Sequence, residues 1–406
     1  MESSVEILYV CHRFPYPPKR GGKIRPFNMI RHLAERHRVT VASLLRSDAE
    51  AAEGKGLEKH CKEVLVGRVS EPWQTLRMIA RLPTPVPSSM GYFYSRQLRH
   101  AISEACARTR FDLVFVHCSS VAQYVSDIRG VPKILDFGDM DSQKWLTYAE
   151  EKSFPLSLGY LLEGRKLEAE ERRLAEKFDL CTCTTKQELS TLRSYGTGTE
   201  TDWFPNGVDA EYFCPDGSEY DRDRISFVGR MDYYPNQQCM IRFCRYILPL
   251  IQRKRPTAKL VIVGADPSSE ILRLRDLPGV TVTGSVQDVR PFVRGSAVMV
   301  APLAIARGTQ NKILEAMAMG VPTVTSELAA NGVDAVPGDH LLTASTDAGY
   351  AEAVLRLVDD PGERRRFAAK GRERMLSHHD WRKSMTRMER LIEGCVERFH
   401  YQGKAS

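Results

Sequence analysis

The feature that most constrains this chain is an alternation of short apolar runs with longer amphipathic stretches. In the first half the runs are EILYV, RVTVASL, EVLVG, DLVFVH, KILDF and LCTCT, with helical patterns between them around residues 24–36, 94–108 and 142–177. Strands bounded by Gly or Asp and separated by helices predict βαβ units, hence a parallel sheet covered on both faces. At WFPNGVDAEYFCPD, residues 203–216, Asn-Gly and two prolines make a turn-rich connector without helical pattern. The alternation then restarts with ISFVGR, KLVIVGA, VTVTG, AVMVAPL and TVTS. Two Rossmann-like doubly wound α/β domains are expected, over residues 1–205 and 206–380, with a helix over 381–406 crossing back onto the first. Open sheets of this kind bind ligands beyond the carboxyl ends of their strands, so two facing domains would set two such edges around one cleft.

Composition narrows the class. A length of 406 residues suits two or three domains, and 42% hydrophobic with 27% charged residues is ordinary for a soluble globular protein. No run approaches the roughly 20 apolar residues needed to span a bilayer. The opening MESSVEILYV lacks a basic n-region, so no signal peptide is expected. Ten scattered cysteines fit a reducing cytoplasm rather than a disulfide scaffold. The net charge of +7 suits anionic small molecules or an anionic membrane surface and is too weak and dispersed for nucleic acid. Arg31, His32, Arg36, His37 and Arg38 form a basic face that is either solvated or in peripheral contact with anionic lipid.

Several residues are placed to carry chemistry. After the first strand, HRFPYPPKRGGKIRPFN offers Gly21 and Gly22 for close backbone approach, a helix N-terminus for an anion, and positive charge from Lys19, Arg20, Lys23 and Arg25. It contains neither G-x-G-x-x-G nor a Walker A motif. Gly229 and Arg230 end a strand, where a guanidinium fork suits a diphosphate. In GTQNKILEAMAMGVPTVTS, Ile313, Leu314, Met317 and Ala318 share one helix face, with Lys312 and Glu315 on another. That pair is either a solvated ion pair worth a few tenths of a kcal/mol or a functional couple. In the second case Lys312, with Gly308 and Thr309 at the helix start, meets a diphosphate, and Glu315 accepts hydrogen bonds from a ribose diol. His117 should emerge at a carboxyl edge beside a sugar hydroxyl, or sit capped in the core. Asp136, Asp139 and Asp141 cap a helix or meet a polyol acceptor; without a nearby His they are a poor metal site. Cys181 and Cys183 point to one side of a strand and read as core.

NKILEAMAMGVPTVTS, FPNGVDAEYFCP and SFVGRM together resemble the retaining glycosyltransferases of family 4, which have the GT-B fold. Their motifs are K-x-x-E-A-M-A-x-G-x-P-V-V, N-G-V-D-x-x-x-F-x-P and V-G-R. YVCHRFPYPPKRGGKIRPFN, ARGTQNKILEAMA and LDFGDMDSQKW further resemble the sugar transferases of exosortase (PEP-CTERM) exopolysaccharide systems. The resemblance implies a metal-independent hexosyltransferase, without cofactor, using a UDP- or GDP-linked donor and a lipid-linked or glycan acceptor. Glu315 matches the second glutamate of E-x7-E, on the donor ribose, and Arg230 the arginine on the donor diphosphate. Gly21 and Gly22 match the loop near donor phosphate and acceptor, and Lys19, Arg20, Asp139 and Asp141 are the candidates for acceptor contact. His117 matches a histidine close to the transferred sugar. Two positions depart from the family pattern. Arg307 stands where the first glutamate of E-x7-E would be, and the lysine after V-G-R is missing near Asn236, leaving Lys312 as a substitute charge. These departures motivate an alternative, a non-catalytic GT-B subunit that binds nucleotide sugar or glycan; a nucleotide-sugar epimerase fits the motifs less well.

Overall fold

A computed structural model describes residues 4–18 and 21–405. The chain divides into two compact units: the first runs to Phe204 and resumes at Met385, and the second is Pro205–Ser384.

The first unit holds seven strands: β1 Glu6–Cys11, β2 Arg38–Leu45, β3 Glu63–Arg68, β4 Leu113–His117, β5 Lys133–Gly138, β6 Leu180–Cys183 and β7 Glu200–Trp203. They pair in parallel in the order β3-β2-β1-β4-β5-β6-β7. Helices cover both faces, so the central strand EILYVC is buried at every residue, which a one-sided sheet would not allow. Strand order reverses between β1 and β4, setting Cys11 beside His117. The loops leaving those two strands diverge there and open a crevice. Leu8, Val10, Leu44, Val116 and Leu135 join one apolar cluster beneath it.

The second unit repeats the plan with β8 Asp221–Val228, β9 Lys259–Val263, β10 Val280–Gly284, β11 Ser296–Ala301, β12 Thr323–Thr325 and β13 Leu342–Thr343. Its order is β10-β9-β8-β11-β12-β13, again parallel, with the reversal between β8 and β11. Ile313, Leu314 and Met317 from the helix Asn311–Ala318 bury their shared face with Phe227, Ile262 and Val300.

The structure differs from the sequence reading in three places. The helical pattern expected around 142–177 is divided into two helices, Asp141–Glu151 and Leu156–Ala175, because Pro155 cannot continue the hydrogen-bond ladder. Strands β7 and β13 were not anticipated; both are short edge strands, and ETDW is mostly polar. The basic face also has internal partners. His32 and Arg36 lie 3.4 and 2.8 Å from Glu389 of the last helix, Trp381–Ala405, while Arg38 and Lys62 flank Glu6 at 2.7 and 2.9 Å. The same helix buries Met388, Ile392 and Cys395 and ties Arg387 to Asp202 at 2.9 Å. Among the described residues, no helix is long and apolar enough to cross a membrane.

Candidate active site

In the second unit, the ends of β8 and β9 and the start of the helix Asn311–Ala318 meet at the carboxyl edge of the sheet. Gly229 follows β8 and leaves no room for a side chain: a Cβ there would lie 2.6 Å from Asn236 Nδ2 and 3.2 Å from Lys312 Nζ. Gly264, after β9, is tighter still, since its Cβ would collide with the carbonyl oxygen of Gly229. Asn236 donates to the Arg230 carbonyl at 2.8 Å and accepts from Lys312 Nζ at 2.6 Å. The ammonium also lies 4.8 Å from the centre of the Phe227 ring. Asn236, near the place of the lysine expected after V-G-R, is thus the residue that holds Lys312.

Lys312 and Glu315 are three residues apart on the helix, yet no ion pair joins them among the described contacts. Both are half-buried, and the surrounding protein displaces the water that would solvate either charge. Burial pulls the Lys312 ammonium down to about 8 and pushes the Glu315 carboxyl up to about 7, each opposed in part by the other's charge. Ahead of the helix, Gly308 adopts a left-handed φ of 59°, and Gln310 donates to the Arg307 carbonyl at 2.9 Å. The Thr309 hydroxyl oxygen is buried and has no hydrogen-bond partner among the described residues. Such an orphan costs about 1–3 kcal/mol. The helix N-terminus adds its unpaired N–H groups and positive dipole end. Arg230 is nearby in sequence but already engaged, to Asp232 at 3.0 and 2.5 Å and to Asp266 at 2.5 Å.

The first unit has its own constellation at its switch point. Asp136, within β5, is fully buried and accepts from Arg25 twice, each at 2.9 Å. It also lies 2.8 Å from His117 Nδ1 and accepts from Thr182 Oγ1 at 2.9 Å. Burial alone would raise this carboxyl; the Arg25 guanidinium and the His117 contact overcome that and hold it well below the usual carboxylate range. With Nδ1–H committed to Asp136, a neutral His117 keeps its lone pair at Nε2. Arg25 stacks 3.7 Å from the Phe204 ring centre and donates to the Phe204 carbonyl at 3.0 Å. It is therefore a structural cation and not one of the charges offered to an anion; Lys23 is likewise paired, with Glu50 at 2.7 Å.

Two residues missed in the sequence, His12 and Arg13, follow β1 at this edge. His12, after β1, has its ring centre 5.8 Å from that of His117, and its buried Nδ1 has no partner among the described residues. Burial, and then the neighbouring His117, push its pKa well below the ordinary imidazole value. Arg13 donates to His12 Nε2 at 3.3 Å and lies along Gly22, where a Cβ would come within 3.0 Å of Arg13 Cδ. Their position after the first strand of a doubly wound sheet was the available signal. Gly21 and Gly22 open the helix Gly21–Ala34. Asp139 accepts from Thr184 at 2.9 Å, and Asp141 starts the helix after β5. Crowding by surrounding atoms raises both carboxyls, although Asp139 itself keeps an open surface. Lys19 and Arg20 lie outside the described residues. No group of three or more His, Cys, Asp or Glu side chains able to hold a metal is found among the described residues.

Comparison with known proteins places this geometry in a family. Residues 20–212 match the model of Glycosyltransferase Family 4, and residues 222–360 that of Glycosyl transferases group 1. The chain is 20% identical over 367 residues to an uncharacterized 44.6 kDa protein in the cps region of Klebsiella pneumoniae, covering 86% of this chain and 90% of that one. It is 25% identical over 256 residues to a GDP-mannose-dependent phosphatidylinositol monomannoside mannosyltransferase of Mycolicibacterium smegmatis, covering 55% and 64%. Among solved structures, sucrose-phosphate synthase from Thermosynechococcus elongatus aligns with a TM-score of 0.71 at 16% identity, covering 96% and 98%. Anabaena HepE, in complex with UDP and glucose, aligns at 0.67 and 14%, covering 96% and 100%. With one glycosyltransferase model matched in each unit and the two-sheet plan shared along nearly its whole length, the chain is a GT-B glycosyltransferase of the group 1, family-4-like kind.

Proposed function

We propose that this enzyme moves a hexosyl group from a nucleotide diphospho-sugar, UDP- or GDP-linked, to a lipid-linked or polysaccharide acceptor with retention of configuration. The observation that carries this reading is the set of polar groups at one helix start: the unpartnered Thr309 hydroxyl, the half-buried Lys312 ammonium held by Asn236, and the half-buried Glu315 carboxyl. A cation and helix N–H groups suit the diphosphate, and the carboxylate suits a ribose diol. Lys312, joined by Arg230 once it exchanges Asp232 or Asp266 for phosphate, would stabilise charge on the departing nucleotide. His117 faces the transferred sugar, and Asp139 and Asp141 the acceptor. A place in exopolysaccharide assembly of the PEP-CTERM kind, at the cytoplasmic face of a membrane, is supported by the opening motifs and by the relative from a cps region.

Two observations favour a second reading, a binding subunit without turnover. Arg230 is already neutralised by two carboxylates, and Arg307 occupies the position of a family glutamate. A thermal-shift panel of UDP, GDP, ADP and dTDP, with their hexose conjugates, separates the cases when followed by a transfer assay. The proposal expects a response to one base, turnover with a lipid-linked acceptor, and loss of both in Glu315→Ala with circular dichroism unchanged. Binding without turnover would replace it by the second reading, and unchanged turnover in Glu315→Ala would overturn the site.

A further inference from the structure

One helix of the first unit is inside out. In Glu71–Arg81, Gln74 is only 2% exposed, with its side-chain amide against the carbonyls of Gly91 and Tyr92. Arg77 donates to the Tyr94 carbonyl at 2.7 Å, and Arg81 lies along Gly91. The polar side therefore faces the protein. Trp73, Leu76 and Ile79, the apolar side, face solvent, with Trp73 66% exposed, and Leu82 continues the line. An amphipathic helix gains stability by covering its apolar stripe, and this one leaves the stripe bare.

A second bare segment adjoins it. Phe154, 78% exposed, leads into the helix Leu156–Ala175, where Leu158 and Leu162 stand on one face with Lys166 at four-residue intervals. Lys166 Nζ donates to the Leu82 carbonyl at 2.7 Å, and Glu163 accepts from the Ser88 and Ser89 N–H groups at 3.0 and 2.9 Å. These bonds seat the end of the first helix beside the Leu158–Leu162 stripe, so the two segments make one ridge. A contiguous exposed apolar surface of this kind marks an interaction site.

Charge identifies the partner. No acidic residue occurs in 72–103 or in 152–162, where Arg77, Arg81 and Lys152 lie on the flanks of the ridge with Lys166 just beyond. The acids adjoining the ridge are Glu71, Glu150, Glu151 and Glu163, the last of them committed to the Ser88 and Ser89 N–H groups. Large aliphatic side chains with one Trp and one Phe, rimmed by cations, match the headgroup boundary of an anionic bilayer. A second copy of the same face would oppose like charges across a twofold axis. We infer that the ridge of Glu71–Leu82 and Phe154–Leu162 docks the enzyme onto an anionic phospholipid surface. The first helix follows the carboxyl end of β3, on the sheet edge that carries His117 and Asp139, while the second segment follows the helix Asp141–Glu151 that leaves β5. Docking would present that edge to a lipid-anchored acceptor, a consequence that rests on the transferase reading; the docking itself does not.

The test is flotation of the full chain with vesicles of phosphatidylglycerol and phosphatidylcholine, without donor or acceptor, so that it is blind to turnover. Wild type should partition onto the anionic vesicles, less so as salt rises, with a blue shift of Trp emission that Trp73→Phe removes. Ile79→Ser with Leu162→Ser should lower the partition coefficient about tenfold or more. Both residues are exposed, so the melting temperature of the variant should match wild type. Absence of partitioning, equal partitioning of the double variant, or equal binding to pure phosphatidylcholine would overturn the inference. So would lipid-free dimerisation that the same substitutions abolish, which would assign the ridge to a second copy.

Discussion

At the scale of residues, the two oppositely displaced groups on one helix make a pH signature. Glu315 must be ionised to accept from a diol, and with its carboxyl near 7 donor capture should rise as pH increases through that value. Lys312 must be protonated to meet a diphosphate, and with its ammonium near 8 capture should fall above it. The expected profile of kcat/KM, which reports the free enzyme, is a narrow bell between those values. Glu315→Gln should remove the acid limb and Lys312→Met the alkaline one, each lowering kcat/KM about 100-fold or more. A profile flat from pH 6 to 9, an interval of about one unit beyond each limb, would exclude both roles. Asp136 poses the opposite case. Its native pKa is depressed, so its stabilisation is complete above the ordinary carboxylate range and is lost as pH falls below it. Asp136→Asn leaves the buried Arg25 guanidinium without its counter-charge and should cost about 3–5 kcal/mol in urea unfolding.

At the scale of elements, what the sequence made legible was what local patterning encodes. The glycine-ended strands and the NKILEAMA helix follow from periodicity, because their apolar positions repeat over a few residues. Strands β7 and β13 escaped because an edge strand is paired on one side only and needs no continuous apolar run. The Arg25–Asp136 pair spans 111 residues, so the sequence presented Arg25 as one more loop cation when it is a core strut. Arg230 was legible as a strand-end guanidinium, but its engagement by Asp266, 36 residues on, was not. Gly264 was passed over as an ordinary strand end; only the packing shows that the backbone of Gly229 lies where its Cβ would be. Backbone against backbone cannot yield as a flexible side chain can. Gly264→Ala should therefore displace the Gly229–Arg230 turn and weaken donor binding in calorimetric titration, while Gly159→Ala, a helix position with open space around its Cβ, should leave affinity unchanged.

At the scale of the molecule, each unit carries its own sheet and its own apolar cluster, while the proposed donor contacts of helix Asn311–Ala318 belong to the second unit. A ligand held by one unit stabilises that unit directly, by about 2.7 kcal/mol at 100 times its dissociation constant. The tryptophans can report where that stabilisation goes. Trp73, Trp145 and Trp203 lie in the first unit and Trp381 in the second, where it is packed on Gly207. In a chain with the first three changed to Phe, emission follows the second unit alone; in Trp381→Phe it follows the first. If the nucleotide diphosphate is held by Thr309, Lys312 and Glu315, it should raise the urea midpoint in the Trp381-only chain and leave the Trp381→Phe chain at its ligand-free value. Equal shifts in both would mean that the units unfold as one, so that binding energy delivered to the second sheet also secures His117 and Asp136 in the first. A shift confined to the first unit would move donor binding to the Gly21–Gly22 helix and remove Glu315 from the ribose.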